Sequence, residues 1–145
     1  RAFADANAGL ALPAVLIGMD TPQVTPSLLT AAAAPLVAGE ADAVLGPAAD
    51  GGFWLLGLRR PDASLISGVP MSVPDTGRIQ LQRLTGAGLR VRTVPELTDV
   101  DTFAEAERVA AAIPGSRFAV AFASATARLD PSLEPGGGRV AEVSR

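Results

Sequence analysis

Short apolar runs of strand length alternate along this chain with segments of helical length, and aspartates punctuate the runs. "AVLIG" (Ala14 to Gly18) leads to Asp20, "DAVLGP" (Asp42 to Pro47) leads to Asp50, and "LRVRTV" (Leu89 to Val94) leads to Asp99 and Asp101. The first, a continuous apolar run, suits a strand of buried type, whereas "LRVRTV" alternates apolar with charged or polar residues and suits a strand nearer the edge. Their alternation with helices favours a layered α/β domain over a bundle or a sandwich. The 145 residues, 48% of them hydrophobic, fit one domain with an ample core.

The intervening segments carry helix signals. Thr25 is a good N-cap, Pro26 suits the first helical position, and "SLLTAAAAPLVAG" reads as a helix ending at Gly39, with Pro35 expected to kink it or end it early. "TGRIQLQRLTGAG" reads as a second helix capped by Thr76. A third begins at Asp101 or Thr102, where Glu105 can return the cap hydrogen bond, and ends at Pro114. A fourth, Ser116 to Ala127, places Phe118 and Phe122 on one face. Between "DAVLGP" and "GFWLLGL" (Gly52 to Leu58) the loop is too short for a crossover helix, so the second strand runs antiparallel or leaves the sheet. A three-layer α/β/α domain with a mixed, mainly parallel sheet follows over residues 1–127. The opening "RAFADANAGL" reads as the end of a helix, and the Gly- and Pro-rich residues 128–145 read as a disordered tail.

Composition removes whole classes of chemistry. Cysteine and histidine are absent, which excludes disulfide frameworks, thiolate zinc sites, thiol nucleophiles and histidine-dependent triads from this chain. Net charge is −3, and the 12 basic residues, all arginine, form no run that could follow a nucleic-acid backbone. The longest uncharged stretch, between Asp20 and Glu40, is broken by prolines and is a poor membrane span. No signal-peptide pattern opens the chain, so neither nucleic acid nor membrane is expected as a partner and a cytoplasmic location is the default. Carboxylates, hydroxyls, arginines, backbone amides or a bound ion must do any chemistry.

The acidic turns carry the strongest signal. All sit where a strand is expected to end, and in open α/β sheets ligands bind beyond the carboxyl ends of strands. Gathered there, the carboxylates could hold Mg²⁺ or Mn²⁺ against phosphate oxygens; taken singly, each is as easily a turn or cap residue. "ADGGFW" sets Gly51 and Gly52, which let a ligand approach the backbone, beside Phe53 and Trp54, either of them a flat apolar surface or else both core aromatics. "SVPDTGR" offers Thr76 and Arg78 at a helix start, where a phosphate could sit, although a plain capping motif would look much the same.

The succession "VLIGMDTPQVTP", "ADAVLGPAADGGFWLLGL", "GVPMSVPDTGRIQLQRL", "GLRVRTVPELTDVDTFAEAERV" resembles the GT-A-type nucleotide-diphospho-sugar transferases over Arg1 to Phe122. Within them it is most similar to the bacterial branch of radical-SAM/selenodomain-associated transferases, some of them described as arsenosugar-biosynthesis glycosyltransferases. The resemblance implies the C-terminal part of a GT-A domain, a nucleotide-diphospho-sugar donor and a small-molecule acceptor. It implies a divalent ion on Asp20, with Asp101 of the "D-x-D-T" turn as second acidic contact. Asp50, of the "DGG" turn, is the candidate base, and Thr21, Gly51, Gly52, Trp54, Thr76 and Arg78 are the candidate substrate contacts. The basic, glycine-containing loop that cradles the nucleotide in that family has no counterpart before Ala14, and the chain has no lysine, which reads either as a fragment lacking its first half, as the mid-helix opening suggests, or as a chain that has lost its donor-base pocket. A nucleotidyltransferase of the same fold, releasing pyrophosphate, and an inactive truncated chain are the alternatives.

Overall fold

The computed structural model describes residues 12–129, and the expected helix end before them and the tail after them lie outside this range. Strands β1 (Ala14–Ile17), β2 (Ala43–Pro47), β3 (Phe53–Leu58) and β4 (Val91–Thr93) form one sheet in the order β1-β3-β2-β4. The short loop after Pro47 turns the chain straight back, so β3 runs antiparallel to β2, with Ala43 opposite Leu58 and a register slip between Gly46 and Pro47. β1 lies on the other side of β3, also antiparallel, from Ala14 opposite Leu58 to Ile17 opposite Leu55. β4 pairs parallel with β2, Ala43 opposite Val91. The sheet is therefore mixed. By direction it is mainly parallel, because β1, β2 and β4 point the same way and β3 alone is reversed, although only one pairing between neighbours is parallel. Among the described residues β4 and β1 are the edge strands; the alternating sequence of β4 suits that place, whereas β1, expected as a buried strand, leaves Leu16 40% and Ile17 41% exposed because it pairs with β3 alone.

Helix α1 (Pro26–Val37) starts where Thr25 caps it, the threonine hydroxyl accepting from the Leu28 amide. Pro35 sits inside it, and the helix ends two residues later; the Pro35 carbonyl then accepts from the amides of Glu40 and Ala41. α1 covers one sheet face, where Ala32, Leu36, Val44, Trp54 and Leu55 form a core. The other face packs Ala43, Leu45, Leu56 and Leu58 against Leu84 of helix α2 (Thr76–Gly86). Two cores, one on each face, are the three-layer arrangement expected from alternating elements. Successive strand residues divide between them: Val44 points to one core, Ala43 and Leu45 to the other.

Helix α3 (Phe103–Ala112) carries the full capping box, Thr102 accepting from the Glu105 amide while the Glu105 carboxylate accepts from the Thr102 amide. Helix α4 (Arg117–Leu129) runs two residues past the expected end at Ala127. It packs on α3 through Phe122, whose ring lies 5.3 Å from Phe103 and 6.3 Å from Phe118. Among the described residues no helix is long and apolar enough to cross a membrane.

Candidate active site

Because β1, β2 and β4 are co-directional, their carboxyl ends lie at one edge of the sheet, and the acidic turns follow those ends. Asp20, Asp50, Asp99 and Asp101 all line one cleft of about 420 Å³, together with Gly52, Phe53, Met71, Ser72, Val73, Pro74 and Thr76. No basic side chain is among the lining residues. Its unliganded charge is thus strongly negative.

Backbone hydrogen bonds join the three turns. The Val100 amide donates to the Asp20 carbonyl (2.9 Å), and the Ala49 amide donates to the Leu97 carbonyl (2.9 Å). Two side chains, the half-buried Gln23 and the buried Trp54, add to this. The Gln23 amide group donates to the Thr98 carbonyl (2.8 Å), and the Trp54 indole N–H donates to the Pro95 carbonyl (2.9 Å). Asp50 is fixed by its own turn, its Oδ1 accepting from the Gly52 amide at 2.7 Å.

Asp99 differs from the other three. Asp20, Asp50 and Asp101 are exposed, whereas Asp99 is half-buried and its Oδ1 is a buried atom without a hydrogen-bond partner. Burial pushes its carboxyl up from 3.8 to about 6, and the charges of Asp50, Asp20 and Asp101 add to that in this order. A buried carboxylate oxygen without a donor is costly unless a cation or a proton meets it.

Of the other lining residues, Met71 to Pro74 and Thr76 come from the start of α2 and the loop before it. Thr76 was expected to cap this helix, but it is the first helical residue and Asp75 holds the cap position without a side-chain cap bond. The Thr76 hydroxyl turns back instead, reaching the carbonyls of Pro70 (2.9 Å) and Val73 (2.8 Å) and accepting from the Val73 amide (3.3 Å). The Asp50 turn is pressed onto this loop. Gly51 has φ +91°, and any Cβ there would overlap the Pro74 carbonyl; a Cβ on Gly77 would overlap the Gly52 carbonyl. The Gly77 amide closes the contact by donating to the Gly51 carbonyl at 2.8 Å.

Of the expected substrate contacts, the cleft contains Gly52 and Thr76, with Gly51 in the turn that shapes it. Of the two aromatics that could have offered a flat surface, Phe53 lines the cleft, whereas Trp54 lies in the core, 1% exposed, and its indole anchors the loop bearing Asp99. Thr21 is 5% exposed, its hydroxyl buried without a partner, and it is not among the lining residues. The Arg78 guanidinium lies outside the cleft, bonded to Asp75 (3.0 Å) and Gln82 (3.2 Å). Asp99 was expected to converge with the other strand-end aspartates, though Asp101 was preferred as the ligand of that turn, and Ser72 to Pro74 were read only as the lead into a helix start; the apolar surface at Met71 and Val73 was not singled out from sequence. The apolar residues of "VPMSVP" inside an otherwise polar connection were the available signal.

Residues 1–73, which include Asp20 and Asp50, match the sequence profile of a family described as "Uncharacterized protein conserved in bacteria (DUF2064)". No functionally curated protein matches the chain. A crystal structure from Desulfovibrio desulfuricans G20, provisionally described as a nucleotide-diphospho-sugar transferase, is 27% identical with a TM-score of 0.68, over 83% of this chain and 52% of that one. The chain spans about half the length of that neighbour.

Proposed function

The chain belongs to the DUF2064 family of bacterial proteins, and on that premise we propose that its acidic cleft transfers a sugar from a nucleotide-diphospho-sugar donor to a small-molecule acceptor with the help of Mg²⁺ or Mn²⁺. The observation that carries this reading is the convergence of four carboxylates from three strand ends on a cleft without a basic lining residue. A diphosphate cannot approach such a surface without a cation beside it. The fold neighbour described as a nucleotide-diphospho-sugar transferase supports the donor class. The motif resemblance to radical-SAM-associated transferases supports the narrower assignment within it.

The donor set suits an ion of this kind. Among the described residues no three acidic side chains come together closely enough to enclose a metal. Mg²⁺ and Mn²⁺ in phosphate chemistry need no such cage, because one or two carboxylates, several waters and the substrate's phosphate oxygens complete the shell. Asp20 and Asp101 would supply those carboxylates, and the unpaired Oδ1 of Asp99 would gain a compensating charge nearby. When bound, the ion neutralises the charge of the departing diphosphate. Asp50, oriented by the Gly52 amide, would accept the proton of an acceptor hydroxyl. A Cβ on Gly52 would crowd the Asp50 carboxylate, so glycine there leaves that carboxylate open to an acceptor, while glycine at 51 lets the turn abut Pro74.

The test is the identity of the released product. Incubated with Mn²⁺, a panel of nucleotide-diphospho-sugars and a mixture of hydroxyl acceptors, the protein should release nucleoside diphosphate. Release of pyrophosphate from nucleoside triphosphates and sugar phosphates would replace this reading with nucleotidyl transfer.

A further inference from the structure

The cleft has two unlike walls. Besides the carboxylates, Phe53, Met71 and Val73 line it, and of these Met71 is 59% and Val73 39% exposed. Their exposure does not come from a loose loop. Ser72 between them has φ +60°, the one non-glycine residue with positive φ among those described. The buried Thr76 hydroxyl holds both Pro70 and Val73, and the Gly51 turn abuts Pro74. A strained backbone, held by a buried hydroxyl, thus presents two apolar side chains to a ligand-sized cavity rather than to the core.

We propose that Phe53, Met71 and Val73 seat the apolar portion of the acceptor. The acceptor is then a hydroxyl compound bearing an aromatic or branched aliphatic group, not a free sugar. This rests on the glycosyl-transfer reading and names the substrate class of the same site. The acceptor, rather than the donor, belongs on this wall because Gly51 and Gly52 join it to Asp50, the proposed base, whereas Asp20, the proposed anchor of the diphosphate, follows a different strand. With no arginine lining the cleft, a ligand group on this wall finds apolar surface and no counter-charge.

The chain contains only two methionines, Met19 and Met71, so methyl-labelled methionine gives a two-signal NMR spectrum in which Met19, fully exposed and outside the cleft lining, serves as internal reference. In the presence of Mn²⁺-free Mg²⁺ and UDP, 4-nitrophenyl glycosides and methyl glycosides of the same sugars are titrated as probes. The aryl compounds should shift the Met71 methyl saturably at concentrations where the methyl compounds do not. Val73→Ser should weaken aryl binding by roughly tenfold, the discrimination carried by one or two apolar contacts, and leave UDP binding unchanged. Equal response to both glycoside classes, or none to either, with UDP still binding in the presence of Mg²⁺, overturns the acceptor inference alone. Loss of UDP binding as well as of any aryl preference overturns it together with the glycosyl-transfer reading.

Discussion

Replacing Asp99 by asparagine should make the protein more stable at neutral pH, the opposite of the usual effect of changing a half-buried polar residue. In the folded chain the carboxyl of Asp99 holds its proton up to about pH 6, against an ordinary value of 3.8. Between those values the folded state binds a proton that the unfolded state has released, so stability is fully present below about pH 4 and is lost as pH rises through 6. At about 1.4 kcal/mol for each tenfold change in acidity, the rise corresponds to roughly 3 kcal/mol. Solvent reaches the three neighbouring carboxylates, and screening should reduce the measurable effect to about 1–2 kcal/mol. Asparagine has nearly the same shape and never ionises. Urea unfolding followed by the fluorescence of Trp54, the single tryptophan and a buried one, should show Asp99→Asn more stable than the parent at pH 8 and equal to it near pH 4. A variant less stable than the parent at pH 8, or a difference that does not vary with pH, would refute the electrostatic argument.

Gly51→Ala forces a Cβ onto the Pro74 carbonyl at a left-handed backbone position, and should cost about 2–4 kcal/mol in urea unfolding. Thr102→Ala removes the capping box of α3 and should cost about 1 kcal/mol by the same measurement, without altering ligand binding in the cleft. Gln23→Ala removes the bond to the Thr98 carbonyl, so hydrogen exchange should quicken at the Val100 amide while amides of β3 keep their protection; uniform protection across both would contradict the positioning role.

How much of this was legible in the sequence depends on the range of the interaction. The caps at Thr25 and Thr102, the strand at Val15 and the reversal between β2 and β3 are set by residues within a few positions of one another, and local pattern sufficed. Thr76 looked like a cap because its neighbours permit it, yet its hydroxyl is drawn back to the loop at Pro70, which local pattern does not report. Phe53 and Trp54 follow two glycines and read either as ligand platform or as core; the sheet order that brings Pro95 beside Trp54 makes it the buried anchor and leaves Phe53 at the cleft. Asp99 and Asp101 are indistinguishable as turn aspartates. Only packing makes the first half-buried, with an unpaired oxygen, and leaves the second exposed.

The central claim is that the carboxylates of the strand-end turns bind a divalent ion, and Mn²⁺ titration by electron paramagnetic resonance measures it directly. The parent should bind Mn²⁺ at one site, more tightly with UDP present. Asp20→Asn and Asp101→Asn, each keeping its side-chain shape while losing its charge, should each lower the affinity at least about tenfold while the fold survives. Binding by both variants as tight as by the parent would contradict the account.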